Sequence, residues 1–310
     1  MTLRVAIGPS SFAEEDDTPL RILAAANVEV VPNPFGRRLT EDEIVSHLRG
    51  VDGLIAGLEP LNRRVLLSAQ PGLKAIARVG IGMDNIDLVA AEELDIKVSN
   101  TPDEPARAVA EMTLTALLAM GRRLIPTNSA LHAGEWQKAI GTGLVGATVL
   151  VVGYGRIGRQ VADLLRAFGA EVLVSDPYLD ETALRPGDRL VPLLEGLQVA
   201  DAVSLHAGGT DRLLGAQQFQ KMKGGALLLN SARAQLVDEH ALIAALESGK
   251  IGGAWFDVFW QEPYQGRLRA FDQVLLTPHI GTYTRQCRLT METAATRNLL
   301  RDLELIGLDS

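Results

Sequence analysis

The sequence is poor in cysteine, in positive charge and in long apolar runs. Its 310 residues contain one cysteine, Cys287, which excludes an internal disulfide framework and a cysteine-rich metal site, so we expect no bound metal. A net charge of −8 offers no basic surface to a nucleic acid or an anionic membrane. No apolar stretch has membrane-spanning length, and the N-terminus lacks a signal-peptide pattern. These absences favour a soluble, cytoplasmic protein that acts on a small molecule.

Short apolar runs alternate with amphipathic stretches from the first residues onward. Strand-like runs cover residues 4–8, 28–31, 53–56 and 75–78, with helix-like stretches between them. Thr40 and Glu43 have the spacing of a capping box, which indicates a helix start. The alternation predicts an α/β fold in which the strands form a parallel sheet.

A second series of strands and helices begins near residue 148, after a long apolar helix expected at residues 105–122. Most of its strands are continuous apolar runs, as in a sheet that is covered on both faces. These strands are expected at residues 148–152, 171–175, 202–205, 226–230, 253–257 and 274–276. We therefore expect two domains with a boundary near residue 100, and the helical segment 284–305 returning to the first.

A glycine-rich turn follows the first strand of the second series. The strand runs directly into Gly153-Tyr154-Gly155-Arg156-Ile157-Gly158, and helical spacing continues beyond it. Glycine suits this place because a pyrophosphate must approach the backbone closely, where amide groups and the helix dipole offset its charge. The pattern alone also fits a tight turn in any α/β domain.

An acidic residue at the end of the next strand strengthens the nucleotide interpretation. Asp176 lies 18 residues beyond Gly158, where a carboxylate can accept hydrogen bonds from the ribose hydroxyls of NAD. Pro177 and Tyr178 follow it rather than arginine, so a 2′-phosphate would meet an uncompensated carboxylate. The sequence therefore favours NAD over NADP.

Three polar side chains follow neighbouring strands of the second series. Arg233, Asp257 and His279 each lie just beyond a strand, and the carboxyl ends of parallel strands share one edge. Arginine suits a substrate carboxylate, and a histidine supported by a carboxylate can donate a proton near neutral pH. Glu262 is a candidate partner for His279, although spacing alone leaves a surface position open.

Several motifs taken together resemble the D-isomer-specific 2-hydroxyacid dehydrogenases, with the phosphoglycerate dehydrogenase branch closest. The motifs, in chain order, are RVGIGMDNID (78–87), SNTP (99–102), AVAEMTL (108–114), GYGRIG (153–158), NSARAQLVDEHAL (230–242), GGAWFDVFWQEP (252–263) and LLTPHIG (275–281). The resemblance implies two Rossmann-like or flavodoxin-like parallel-sheet domains with an active-site cleft between them. The substrate-binding domain would comprise residues 1–100 and 285–310, and the NAD-binding domain residues 101–284.

The resemblance also implies roles for individual residues. It implies a catalytic set of Arg233, Glu262 and His279, which would transfer a hydride between NADH and C2 of a 2-oxo acid and handle the proton. It implies cofactor contacts from Asp257, His279, His206 and Ala232 in addition to the glycine turn and Asp176. It implies that backbone amides of Val79, Gly80, Ile81 and Gly82 bind the substrate carboxylate. Members of this family commonly form homodimers through their NAD domains, which the apolar helix at 105–122 suits.

The substrate is less determined than the reaction. Arg78 resembles a residue that contacts substrate phosphate in the phosphoglycerate branch, which favours a substrate with a second anionic group; a surface arginine at a strand end is the alternative. Departures from the family pattern leave glyoxylate, hydroxypyruvate or a phosphonate analogue open. They are Asp103-Glu104-Pro105, Ala207-Gly208-Gly209 after His206, Ala234 after Arg233, and bulky Trp255, Phe256 and Trp260 around Asp257.

Other classes of function fit less well. An NAD-sensing corepressor of the same fold need not keep Arg233, Glu262 and His279. Formate dehydrogenases pair their histidine with glutamine, so Glu262 argues against them, whereas phosphite oxidation stays open. The chain also lacks a C-terminal regulatory extension, so we expect no serine feedback.

Overall fold

The computed structural model describes residues 2–306. It divides into two compact units. One unit runs to Pro105 and resumes at Tyr283, and the other is Ala106–Thr282. None of the helices in residues 2–306 has the length and apolar character of a membrane span. The same residues hold no cluster of three potential metal ligands.

The first unit is built on a five-stranded parallel sheet. Its strands are β1 (Arg4–Ile7), β2 (Glu29–Val31), β3 (Gly53–Ala56), β4 (Ala75–Arg78) and β5 (Lys97–Ser99). They lie in the order β2-β1-β3-β4-β5, which is the flavodoxin-like order. The strand order reverses between β1 and β3, so ligands are expected outside the carboxyl ends of those strands.

Helices cover both faces of this sheet. They are α1 (Thr18–Ala25), α2 (Glu41–His47), α3 (Arg63–Ser68), α4 (Leu88–Glu93) and α11 (Arg285–Asp302). The Glu43 carboxylate accepts a hydrogen bond from the Thr40 amide at 2.8 Å, as the capping-box spacing predicts. Helix α11 packs on β3, where a side chain at Gly53 would place its Cβ 3.2 Å from Leu299. Glycine at that position therefore lets the helix approach the sheet.

The second unit contains a seven-stranded parallel sheet. Its strands are β6 (Thr148–Val152), β7 (Glu171–Ser175), β8 (Arg189–Leu190), β9 (Ala202–Leu205), β10 (Ala226–Asn230), β11 (Ile251–Phe256) and β12 (Val274–Leu276). They lie in the order β12-β11-β10-β9-β6-β7-β8, as in a doubly wound dinucleotide-binding sheet. Its switch point lies between β6 and β9, so the glycine turn after β6 occupies the position where such sheets bind ligands.

The helices of the second unit cover both faces of its sheet. They are α5 (Pro105–Gly121), which begins at the unit boundary, α6 (Leu124–His132), α7 (Arg156–Ala167), α8 (Leu193–Val199), α9 (Ala216–Lys221) and α10 (Glu239–Glu247). The apolar residues Ala110, Leu114 and Leu117 of α5 are buried in the core of this unit. This helix therefore offers little apolar surface for the dimer that its composition suggested, and large apolar side chains are exposed instead on and after α6.

The bulky aromatic residues beside Asp257 serve the core. Trp255 and Phe256 are fully buried on opposite faces of the sheet, because successive strand residues point to opposite sides. Trp260 stacks on Phe256 with ring centroids 5.5 Å apart, and its indole N–H donates to the Val237 carbonyl at 3.1 Å. These rings fix the segment after β11.

Candidate active site

Three neighbouring strands of the second unit end in register. Asn230 pairs with Phe256, and Phe256 pairs with Leu276, at the carboxyl ends of β10, β11 and β12. Arg233 lies three residues beyond the first of these ends and His279 three residues beyond the last. The register therefore brings the segments that carry Arg233, Glu262 and His279 to one edge of the sheet.

His279 and Glu262 are in direct contact. The ring nitrogen Nδ1 of His279 lies 3.1 Å from Glu262 Oε1 and 3.2 Å from Oε2. Their side chains keep 42% and 26% of their surface exposed, so both remain accessible to a ligand. A carboxylate on Nδ1 fixes the tautomer and the ring orientation, which leaves Nε2 to face a reactant.

His279 has a backbone conformation that most side chains avoid. Its φ angle is +56°, in the left-handed region, where a residue other than glycine needs support from its surroundings. Asp257 provides this support, because its carboxylate accepts hydrogen bonds from the amides of Ile280 at 2.9 Å and Gly281 at 2.7 Å. The carboxylate at the end of β11 therefore holds the loop on which His279 is mounted.

A short chain of hydrogen bonds extends this support into the core. The Thr277 hydroxyl donates to Asp257 Oδ1 at 2.6 Å and accepts from the indole N–H of Trp255 at 2.9 Å. Asp257 is 2% exposed, and burial raises the pKa of its carboxyl while these hydrogen bonds oppose the rise. Both carboxylate oxygens of Asp257 thus accept hydrogen bonds from residues of the same unit.

Arg233 is held at the edge by the residue that ends β10. The Asn230 side chain is fully buried; its amide donates to the Arg233 carbonyl at 2.8 Å, and its oxygen accepts from the Ala232 amide at 3.0 Å. Guanidinium Nη1 of Arg233 donates to the Ala232 carbonyl at 2.7 Å. The turn is therefore fixed from both sides and presents Arg233 beside the following strand ends.

The three glycines of the glycine turn meet two different requirements. Gly153 has φ of +90°, and a side chain there would place its Cβ 2.5 Å from the backbone N of Ala207. A Cβ at Gly158 would collide with the Gly153 carbonyl, whereas a Cβ at Gly155 would meet open space. The first and third glycines allow close packing, and the second leaves the start of α7 open to a phosphate group.

Asp176 is fixed by the same turn. Its Oδ2 accepts from the Tyr154 amide at 2.8 Å, and its Oδ1 accepts from the Tyr178 amide at 3.0 Å. The residue Tyr154 is 1% exposed and its hydroxyl bonds Asp188, so its side chain is not available to a cofactor. Arg156 is exposed and Ile157 is half-buried in the first turn of α7.

His206 lies across the switch point from the glycine turn. Its Nε2 lies 2.7 Å from the Ser204 hydroxyl, while Nδ1 is shielded from solvent and makes no hydrogen bond within the described residues. Burial lowers the pKa of this imidazole to about 3, so the ring is neutral. The open face at Gly155, the free end of α7 and this unsatisfied nitrogen fit a dinucleotide.

The carboxyl edge of the first unit also carries charged residues, but they are buried. Arg78 ends β4 and is 8% exposed, and Glu59, beyond β3, is 1% exposed. The Glu59 carboxylate packs against Gly8 and Gly57 and accepts from the Gly57 amide at 2.9 Å. Burial raises the pKa of Glu59, and the positive charge of Arg78 opposes that rise.

The loop that follows Arg78 uses part of its hydrogen-bonding capacity within the unit. The Val79 amide donates to Ala56, and the Gly80 amide donates to the Thr101 hydroxyl at 2.7 Å. Gly80 has φ of +136°, which only glycine adopts readily. Of the four amides expected to bind a carboxylate, those of Ile81 and Gly82 make no hydrogen bond within residues 2–306.

Sequence patterns did not single out several residues that position the site. Thr277 and Thr101 act through hydrogen bonds to segments about twenty residues away, whereas Asn230, Ser204 and Glu59 bond to residues two or three positions away. Their only signal is that each ends a strand, lies within one near its end, or follows one closely, where parallel sheets collect functional groups. A polar residue at such a place is worth examining even when it matches no motif.

Comparison with known proteins agrees with this geometry. Residues 114–281 match the family model described as D-isomer specific 2-hydroxyacid dehydrogenase, NAD binding domain. The chain is 35% identical to a D-3-phosphoglycerate dehydrogenase of Synechocystis over 87% of its own length and 50% of the relative's. It is 34% identical to a glyoxylate reductase of Thermococcus onnurineus over 84% of its own length and 83% of the relative's. The chain thus spans about half the length of the phosphoglycerate dehydrogenases that it matches.

Solved structures show the same similarity over nearly the whole chain. The TT0316 protein from Thermus thermophilus superposes with a TM-score of 0.88 at 36% identity, with 97% of both chains covered. The matched family model covers the glycine turn and extends to the loop beyond His279. With sequence, fold and site in agreement, the chain belongs to the D-isomer specific 2-hydroxyacid dehydrogenase family.

Proposed function

We propose that this protein reduces a small 2-oxo acid to the D-2-hydroxy acid with NADH, and catalyses the reverse oxidation. The observation that carries the proposal is the contact of His279 with Glu262 at 3.1 Å on a loop that Asp257 holds in place. Bound NADH supplies the hydride that adds to C2. The residues of the chain then have to bind the acid, orient its carbonyl and supply a proton.

Each of the three proposed catalytic residues has a distinct role. Arg233 binds the substrate carboxylate and polarises the carbonyl, because its planar guanidinium can donate two parallel hydrogen bonds. His279 donates a proton from Nε2 to the carbonyl oxygen as charge develops there. Glu262 stabilises the imidazolium form of His279. In the oxidative direction neutral His279 accepts the hydroxyl proton.

We propose NAD as the cofactor in preference to NADP. The residues that would hold it are the glycine turn, Asp176, His206 and Ala232. The Asp176 carboxylate is fixed by two backbone amides and retains lone pairs for the ribose hydroxyls. A 2′-phosphate placed at this carboxylate would be repelled, so we expect a lower KM for NADH than for NADPH.

The class of acid depends on Arg78. If its guanidinium contacts the substrate, a second anionic group such as a phosphate is favoured, and the phosphoglycerate dehydrogenases among the relatives agree with this. The burial of Arg78 and its neighbour Glu59 favour the alternative, an acid with one carboxylate such as glyoxylate or hydroxypyruvate. The glyoxylate reductase relatives agree with that alternative.

The test of the substrate class is a panel of 2-oxo acids with and without a terminal phosphate, phosphonate or carboxylate. Oxidation of NADH is followed with wild type and Arg78→Ala, and phosphite is included with NAD. A preference for phosphorylated acids that Arg78→Ala abolishes supports the phosphoglycerate-like substrate. A preference for glyoxylate or hydroxypyruvate that survives the substitution supports the one-carboxylate class. Turnover of phosphite alone would contradict both.

The test of the chemistry is His279→Gln on the best acid of that panel. We expect kcat to fall by about 10² to 10⁴, the range for loss of a general acid. His240→Gln is the matched control, since His240 is an exposed histidine on α10 of the same unit. Near-normal turnover by His279→Gln would overturn the assignment of the proton donor.

We further propose a homodimer formed through the second unit. Helix α6 has no buried residue, and apolar side chains are exposed on it and after it. They are Leu124 (58%), Ile125 (52%), Leu131 (56%), Trp136 (80%) and Ile140 (96%). A patch of this kind marks a protein interface. Ultracentrifugation should show a dimer that Ile125→Asp with Ile140→Asp converts to a monomer, and a wild-type monomer would contradict the proposal.

We also propose a cytoplasmic location. Cys287 is a buried free thiol, and the chain has no second cysteine with which to form an internal disulfide. Fractionation of source cells, with an antibody against this chain, should place it with soluble cytosolic markers; recovery in a membrane or secreted fraction would contradict this.

A further inference from the structure

The side chain of Tyr154 joins an ionic network around the buried carboxylate of Asp188. Its hydroxyl donates a hydrogen bond to Asp188 Oδ2, and the Asp188 side chain has no exposed surface. Guanidinium Nη1 of Arg166, on α7, lies 2.5 Å from Asp188 Oδ1. Both oxygens of this buried carboxylate therefore bind groups from the turn and from the helix that follows it.

The network also includes the segment between β7 and β8. Arg166 pairs with Asp163, and Arg185 Nε lies 3.0 Å from the same Asp163 carboxylate. The Arg185 amide lies 3.4 Å from the Tyr154 hydroxyl. These contacts fasten the chain from Arg185 to Asp188 against α7.

Tyr154 connects this network to the proposed ribose site. Its hydroxyl binds Asp188, while its backbone amide donates to Asp176 Oδ2 at 2.8 Å. Arg159 holds the residue from a third side, since its Nε donates to the Tyr154 carbonyl at 3.0 Å and its guanidinium lies 5.4 Å from the ring centroid. One residue thus links the carboxylate proposed to bind ribose with a fully buried carboxylate.

We propose that Asp188, acting through Tyr154, is a positioning residue that sets the orientation of Asp176 and thereby the affinity for the adenosine half of the cofactor. This inference rests on the proposed use of NADH. A carboxylate that receives both ribose hydroxyls must be placed within a few tenths of an ångström, because hydrogen bonds weaken steeply with distance and angle. Asp188 is the buried, charged end of the connection that fixes this placement.

The network consists of charged and hydroxyl groups, which indicates that it orients the turn as well as packing against it. Burying the Asp188 carboxylate carries a desolvation cost that a well-packed apolar residue avoids, so its pairing with Arg166 is weak evidence for stability alone. A phenylalanine at position 154 would fill the same core volume. Packing at position 154 therefore does not require the hydroxyl or its carboxylate partner, whereas fixing the orientation of the turn does.

The experiment compares Tyr154→Phe and Asp188→Asn with wild type, with NADH and NADPH as cofactors. Tyr154→Phe removes only the hydroxyl, and Asp188→Asn keeps the shape of the side chain. We expect KM for NADH to rise about tenfold, the size of one lost hydrogen bond to a charged group. We expect kcat to change less than about twofold and the preference for NADH over NADPH to fall by about tenfold.

The matched control is Tyr264→Phe. Tyr264 is another tyrosine of the second unit whose hydroxyl donates to a carboxylate, that of Glu239, at 2.6 Å. Tyr264→Phe should lower the melting temperature about as much as Tyr154→Phe does. It should leave the preference for NADH over NADPH unchanged. A purely structural role for Tyr154 would make the two variants behave alike.

The outcomes separate this inference from the proposed function. If wild type oxidises NADH with a 2-oxo acid but Tyr154→Phe and Asp188→Asn both keep the wild-type KM and preference, the inference is wrong and the function stands. If one of the two variants does not fold, the other decides. If wild type neither oxidises NADH nor binds ADP-ribose by calorimetry, the proposed function itself fails.

Discussion

The carboxyl edges of the two sheets are built in opposite ways. In the second unit a buried carboxylate, Asp257, lies behind an accessible pair, His279 and Glu262, whose side chains are 42% and 26% exposed. In the first unit the charged residues themselves, Arg78 and Glu59, are buried. Beyond Arg78 this edge carries the loop of Ile81 and Gly82, where Ile81 is exposed and Gly82 is half-buried.

The difference indicates that the second unit's edge serves proton transfer and the first unit's edge serves binding. An edge that exposes an acid–base pair on a fixed loop is suited to proton transfer, because the reacting groups are accessible and their orientation is set in advance. An edge that buries its charges and presents amides is suited to holding an anionic group without proton exchange. Substitutions at the first unit's edge should therefore change stability and KM, whereas those at the second unit's edge should change kcat.

The largest expected effect on stability is that of Arg78→Ala. Removing the guanidinium takes away the stronger of the two positive charges that act on buried Glu59, and leaving a buried carboxylate less compensated typically costs about 3 kcal/mol. Denaturant unfolding measures the loss. Arg38→Ala is the matched control, because its charge also acts on Glu59 but the side chain is exposed. Equal losses in the two variants would contradict a buried role for Arg78.

The largest expected effect on turnover is that of Asp257→Ala. Without its carboxylate the amides of Ile280 and Gly281 lose their acceptor, and a catalytic group displaced by about 1 Å can lose about 10² in rate. We expect kcat to fall by that factor. Asp201→Ala is the control at the opposite edge of the same sheet, where Asp201 accepts from the Thr148 amide at 2.9 Å. A similar fall in kcat in the control would show that the effect is not local.

Stability should respond to pH with opposite signs at the two edges. His206 has its pKa lowered to about 3, so between that value and its ordinary 6.5 the unfolded state binds more protons and acid destabilises the fold. From pH 7 to pH 5 this costs about 2 kcal/mol. Glu59 has a raised pKa, so its contribution is instead complete below its ordinary 4.5 and is lost as the pH rises from there through the raised value.

The His206 contribution is measured by denaturant unfolding of His206→Asn at both pH values without cofactor. The variant should lose about 2 kcal/mol less than wild type on acidification. His132→Asn, at an exposed histidine of the same unit, should follow wild type. If His206→Asn also follows wild type, the imidazole at position 206 is not held neutral by burial.

Much of this architecture was predictable from the periodicity of apolar residues and from the turn residues between them. The strands of both sheets, apart from β5 and β8, and the glycine turn follow from apolar runs bounded by turn residues. Strand β8 has two residues and β5 and helix α4 are short, so they leave little periodic signal. The sequence offered Glu262 as a candidate partner for His279. Their 3.1 Å contact could not be derived from the sequence, because Glu262 lies on a loop of irregular backbone.

The sequence could not predict burial of charge. An arginine at a strand end is expected to be accessible from the sequence pattern, whereas Arg78 is 8% exposed and its guanidinium packs close to Gly80. The apolar character of α5 suggested an outward face for the same reason. Apolar periodicity shows which face of an element is covered, but it does not show that long-range packing also covers a charged side chain at a strand end.

The smallest predicted effect tests whether the first unit's edge binds through its backbone. Thr101→Val removes the hydroxyl that accepts from the Gly80 amide at 2.7 Å and leaves that buried donor unsatisfied, at a cost of about 1 to 2 kcal/mol. Because the loop that carries Ile81 and Gly82 then loosens, KM for the acid should rise about fivefold with kcat nearly unchanged. Thr113→Val is the control, a buried threonine whose hydroxyl donates within α5. If Thr101→Val lowers kcat and leaves KM unchanged, the two edges are not divided between binding and proton transfer.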